Sequence, residues 1–250
     1  MSKTIGIVSE GPTDYLLVKE LIDKITREEN DYLPLQPEEP PTGPLGNGWK
    51  GVWRWCDEHR AILNDYMTAV SPPLDCLIIQ MDGDVSRKEK ETHCMCVSAL
   101  CEISGTVHPL DCQLCSGGVC PVRLPCTNHG DSDFAGHLSE LVFTWLHIAE
   151  GDFNVIMTVP CDSTDTWVAT AYDDLRNNCE AHTNPWTTII ARAAEYHSIR
   201  IPGHKKSVKI YRELVKEVCK QWNTVKERCP QAAAFDAAVK SSLLLQVNEF

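Results

Sequence analysis

Three short apolar runs constrain this chain more than any other feature: KTIGIVS (3–9), DCLIIQMD (75–82) and DFNVIMTVP (152–160). Each is too short for a typical helix. Each is also too continuously apolar for a strand with one wet face, so all three read as strands buried on both sides. Helical spacing fills the gaps. DYLLVKELIDKIT places Leu16, Leu17, Leu21, Ile22 and Ile25 on one stripe, and DFAGHLSELVFTWLHIAE (133–150) has the same periodicity. Strands that alternate with helices predict an α/β fold, with a mainly parallel sheet flanked by helices and a helical C-terminal part that includes 207–222 and 232–247.

Between the first two strands, residues 30–50 are rich in Pro and Gly and read as loop, with Gly43, Gly46 and Gly48 as turns and not a dinucleotide-binding loop. A single helix is expected from Val52 to about Val70, with Trp55, Ile62 and Tyr66 toward the core, until Ser71-Pro72-Pro73 breaks it. From Val85 to Asn128 periodicity is lost. The expected organisation is therefore one α/β domain, formed by 1–90 and 129–250, interrupted by an insertion at 91–128.

That insertion holds Cys94, Cys96, Cys101, Cys112, Cys115, Cys120 and Cys126, with His93, His108 and His129 in or beside it. Seven cysteines in 33 residues, in a chain that opens directly on a strand and shows no export signal, point to metal in place of disulfides. Cys112-x-x-Cys115 is one half of a structural zinc site, and spacing leaves its second pair open among the remaining cysteines. A bound ion would order a segment too poor in apolar residues to build a core. A second zinc, an iron–sulfur cluster or unliganded thiols remain as alternatives. The other cysteines, Cys56, Cys76, Cys161, Cys179, Cys219 and Cys229, fall in helices and strands and read mostly as small core residues.

With 35 acidic and 23 basic side chains the net charge is −12, which repels nucleic acid unless basic residues or metal ions offset it locally. No apolar run is long enough for a membrane span, so the expected setting is the cytoplasm, with no membrane partner.

Acid stands at the exits of the strands. SEGPTD puts Glu10 and Asp14 after the first strand, and MDGDV puts Asp82 and Asp84 after the second, with Gly83 between them. Ligands of an open parallel sheet bind at the carboxyl ends of its strands, and clustered carboxylates suit a hard cation such as Mg²⁺ or Mn²⁺. Each motif alone has a plainer reading, as a helix start with Pro and acid in its first turn, or as an ordinary turn. Together, each after its own buried strand, they favour function.

Strand–EGxxD–helix followed by a strand ending in DxD resembles the TOPRIM domain of topoisomerases, primases, recombination-associated proteins and small nucleases. The matching residues are Glu10, Gly11, Asp14, Asp82 and Asp84. The segment TVPCDSTDTWVATAYDD (158–174) resembles the stand-alone, overcoming-lysogenization-type TOPRIM nucleases, with Asp165 two positions before Trp167 where Glu is usual, and Asp162 an equally placed acid. PGHKKSVKIYRELV resembles their basic segment. The likeness covers 3–28, 75–84 and 152–216 and omits the cysteine-rich stretch. It implies phosphodiester cleavage in DNA or RNA. Glu10, Asp14, Asp82, Asp84, Asp165 and Lys206 would be catalytic, Glu10, Asp82, Asp84 and Asp162 would hold Mg²⁺ or Mn²⁺, and His204, Lys205 and Lys209 would meet substrate phosphate. It further implies a bacterial anti-phage effector, with a separately encoded ATPase as partner and room for a homo-oligomer. A non-catalytic adaptor that keeps the core as scaffold is the rival expectation, and a phosphatase or nucleotide-processing enzyme is a third.

Overall fold

The computed structural model describes residues 2–37, 45–85, 134–191 and 195–244. The seven insertion cysteines, their neighbouring histidines and Gly43 lie outside the described residues, and with them the zinc expectation. The α/β architecture is as the alternation of elements requires. Strand β1 (Thr4–Val8) is followed by α1 (Pro12–Thr26), β2 (Asp31–Gln36), α2 (Trp49–His59), α3 (Leu63–Ala69), β3 (Cys76–Gln80), α4 (Phe134–Leu146) and β4 (Val155–Thr158). The chain continues through α5 (Asp165–Ala171), α6 (Trp186–Ile190), a two-residue hairpin of β5 (Glu195–Tyr196) and β6 (Ile199–Arg200), and then α7 (Val208–Lys220), α8 (Trp222–Arg228) and α9 (Pro230–Leu244).

The main sheet runs β2-β1-β3-β4, with every pair parallel. Alternation along the strands divides the core in two. Ile5, Ile7, Cys76, Ile78 and Ile156 face one layer, where they join buried residues of α1, α5, α7, α8 and α9. Val8, Leu77 and Ile79 face the other, against α2, α3 and α4. Both faces of β1 and β3 are covered, which explains why those runs are continuously apolar.

Three expectations are corrected. Residues 31–36 are a strand, not loop, despite Pro34. β2 is the sheet's edge, where a missing N–H leaves no ladder bond unmade, and the register slips by one residue beside Pro34, between Ile7 and Val8 of β1. The single helix over 52–70 is two, α2 and α3, and Ile62 at the break is 49% exposed while Trp55 is buried and Tyr66 half-buried. Gly48 is more than a turn residue: it caps α2 at φ 70°, a conformation glycine adopts without strain. The hairpin β5–β6 had no counterpart in the sequence pattern, because two-residue strands leave no periodicity to read.

Candidate functional site

β1 and β3 are hydrogen-bonded neighbours in parallel register, Ile5 opposite Cys76 and Val8 opposite Ile79, so the residues that leave them emerge side by side. Glu10 Oε1 accepts the Asp82 backbone N–H at 2.7 Å. The bridge between them is Gln80, which is fully buried: its Oε1 accepts the Glu10 N–H at 3.1 Å and its Nε2 donates to Asp82 Oδ1 at 2.7 Å. Two motifs 72 positions apart are thereby tied at one sheet edge.

Gly83 explains the turn that follows. Its N–H donates to Pro160 O at 2.8 Å, and a Cβ there would stand 2.3 Å from the carbonyl oxygens of Pro160 and Cys161. Only a residue without a side chain lets the segment after β3 lie this close to the segment after β4. Asp84 N–H then donates to Asp162 O at 2.8 Å. Asp162 is buried and its Oδ2 accepts the Asn184 N–H at 3.0 Å, which ties that carboxyl to the loop before α6.

The third strand exit supplies a second group. Asp165 opens α5, is 4% exposed, and accepts from Lys206 Nζ at 3.0 Å and from the Tyr211 hydroxyl. Asp14, also 4% exposed, accepts from Thr164 Oγ1 at 2.6 Å and lies 3.9 Å from Lys206 Nζ. Lys206 is thus the cation shared by Asp14 and Asp165, and it also stacks over the Tyr211 ring at 5.0 Å. His204, Lys205 and Lys209 are exposed.

The electrostatics follow from this crowding. Asp82 is pushed well above the usual carboxylate range, by burial first and then by the negative charges of Asp14 and Glu10, which Lys206 only partly offsets. Burial likewise raises Asp165, against the opposing pull of Lys206. For Lys206, burial favours loss of the proton, but the carboxylates of Asp165, Asp14 and Asp82 outweigh it and hold the ammonium above its ordinary value. Among the described residues the site gathers acids around the ammonium of Lys206.

The donor set consists of hard carboxylate oxygens, the chemistry that Mg²⁺ and Mn²⁺ prefer. Among the described residues, however, no group of three or more His, Cys, Asp or Glu side chains is gathered closely enough to form a ready-made metal cage. Mg²⁺ does not need one. It usually keeps several waters and takes one or two carboxylates plus substrate phosphate oxygens; at this edge the carboxylates of Glu10 and Asp82 belong to residues joined through the Asp82 N–H.

Sequence reading missed Gln80, Thr164, Tyr211 and Gly48, whose N–H donates to Glu10 O at 2.9 Å. Gln80 did carry a signal, as the one amide in the run LIIQM. Tyr211 carried none, because an aromatic on an amphipathic helix reads as core. No family model, curated protein or solved structure matches the chain.

Proposed function

We propose that the chain is a divalent-metal-dependent nuclease of TOPRIM type, cleaving phosphodiester bonds in DNA or RNA. The observation that supports this most is the Glu10–Asp82 tie, because it joins the EGxxD and DxD motifs at the carboxyl edge of adjacent parallel strands. A cation held by Glu10 and Asp82, with Asp84 beside them, would neutralise phosphate charge and acidify a bound water. The raised affinity of Asp82 for a proton reflects its burial and the like charges of Asp14 and Glu10 beside it, and such a crowding of carboxylates gains from a bound cation.

The chain's own residues have separable tasks. Glu10 is tethered through its Oε1 and through its backbone N–H, so its carboxyl is held in position to accept a proton from an attacking water. Lys206, fixed by Asp165 and Asp14, carries the positive charge nearest the acids and would meet phosphate oxygens. The exposed His204, Lys205 and Lys209 would extend that charge along a nucleic-acid backbone. On an otherwise acidic protein, such local charge and the metal make substrate approach feasible.

The test is cleavage of plasmid, single-stranded DNA and total RNA with Mn²⁺ or Mg²⁺. Glu10→Ala and Asp82→Ala should each lower the rate by about 10²–10⁴-fold, the span of a lost acid–base or metal-holding group. Equal cleavage by wild type and both variants would sink the reading. The adaptor alternative draws on the absence of a three-donor group among the described residues. It predicts no Mn²⁺ binding, so titration of Mn²⁺ by electron paramagnetic resonance separates the two.

A further inference from the structure

β4 is the last strand of its sheet, paired among the described residues with β3 alone. Leu77 N–H donates to Asn154 O and Met81 N–H to Thr158 O, so even-numbered positions turn their main chain toward β3. By strand alternation, Val155 and Met157 turn theirs outward; the Val155 N–H is taken by Phe153 O at 2.7 Å, so the Val155 carbonyl and the Met157 N–H and carbonyl are what the edge offers. Beside that edge lies a groove of about 880 Å³, walled by Ser139 and Phe143 of α4 and by Phe235 and Ser241 of α9. β4 itself forms its floor, and the edge has none of the usual protections against pairing, such as an internal proline or lysine.

Two further observations define what would fit. Among the described residues the lining includes Glu140, Glu150 and Asp152 and no lysine or arginine, so these walls favour positive charge. Thr158 also lines it; the residue is 2% exposed, and its Oγ1 is buried without a hydrogen-bond partner. A buried unsatisfied hydroxyl costs free energy that an incoming polar group would recover. Phosphate-bearing ligands are repelled by the acidic wall. A second copy would set Glu140, Glu150 and Asp152 against their equivalents on a chain of net charge −12. We propose that the outer edge of β4 is a strand-addition site for an extended peptide segment of a partner protein that carries lysine or arginine. Main-chain bonds to the Val155 carbonyl and to Met157 supply affinity, and alternate side chains reach the half-buried Phe143 on the α4 wall and the acids at the rim.

Selection of a displayed library of random nonapeptides against the full chain tests this. The recovered peptides should carry lysine or arginine around a proline-free, alternately apolar core. Measured by fluorescence anisotropy, a recovered peptide should bind about tenfold more weakly when two alternate amides are N-methylated, the effect of losing main-chain hydrogen bonds. It should weaken by a similar factor against the Glu140→Lys/Glu150→Lys variant, whose fold is checked by circular dichroism. No enrichment, an acidic consensus, or indifference to N-methylation or to the charge reversal overturns the proposal. Self-association in sedimentation velocity that the same variant strengthens would instead assign the edge to a second copy.

Discussion

Asp82, half-buried, and Asp236, buried, are both carboxylates among charged neighbours, and the chain treats them in opposite ways. Asp236, on α9, accepts from Trp222 Nε1 at 2.8 Å and pairs with Lys226 at 3.0 Å and Lys240 at 2.7 Å. Burial would raise its affinity for a proton, but these three partners outweigh burial and hold it below the usual carboxylate range. Asp82 has Asp14, Glu10 and Asp84 as electrostatic neighbours against the one cation Lys206, and it is raised. The helical layer thus completes its charges with its own residues, as a structural network does. At the strand exits the balance runs the other way, with like charges and burial outweighing the pull of Lys206 on Asp82.

This contrast can be broken most sharply at Lys206. Lys206→Met removes the cation that Asp14 and Asp165 share and should cost about 3 kcal/mol in urea unfolding at pH 7, the scale of an orphaned buried ion pair. The loss should shrink as pH falls, because the orphaned carboxylates then take up protons. A loss unchanged between pH 7 and pH 5 would mean that Lys206 acts only through packing.

Asp236→Asn should cost about 2 kcal/mol and leave the proposed nuclease activity intact, since the carboxylate's partners become unpaired far from the strand exits in sequence. The sign with pH follows from its lowered folded pKa. The carboxylate stabilises the fold above its unfolded pKa and stops doing so as pH falls through the lower folded value. The variant and wild type should therefore converge only in strong acid.

Asp82→Asn should do the reverse and stabilise the protein at pH 7 by about 1 kcal/mol, as substitutions that relieve strained functional sites commonly do. Asn keeps an oxygen for Gln80 Nε2 and removes one of the crowded charges. Asp82 has a raised folded pKa, so its protonated form favours folding at low pH. That benefit is lost as pH rises through the folded value, and the gap between variant and wild type should widen over the same range. Thermal melts from pH 4 to 8 would show it. The smallest effect belongs to neither region: Lys216→Ala, at the exposed pair with Glu213, should change stability by less than about 0.5 kcal/mol.

Legibility in the sequence followed the range of the signals. The strands that lead to Glu10 and Asp82 were readable because burial on both faces leaves an unbroken apolar run, whereas β4, expected to be buried on both sides, is buried only at Ile156 and Thr158, as its place at the end of the sheet allows. β2 was hidden because an edge strand tolerates Pro34 and keeps Tyr32, Leu33 and Leu35 only half-buried. The break between α2 and α3 was hidden because Ile62, apolar by composition, lies at the surface where the two helices part. Within the basic run, nothing local distinguishes Lys206 from Lys205 or Lys209, yet only Lys206 is recorded in ion pairs with the buried aspartates.

By itself the sequence determined where strands end and that acid stands at those ends, because burial pattern, Gly and Pro act over a few residues. Tertiary structure alone decided that β1 lies beside β3, so that Glu10 meets the Asp82 backbone, and that α7 brings Lys206 and Tyr211 to Asp165. Strand order and side-chain direction depend on how distant layers share one core, and that information is spread over the whole chain.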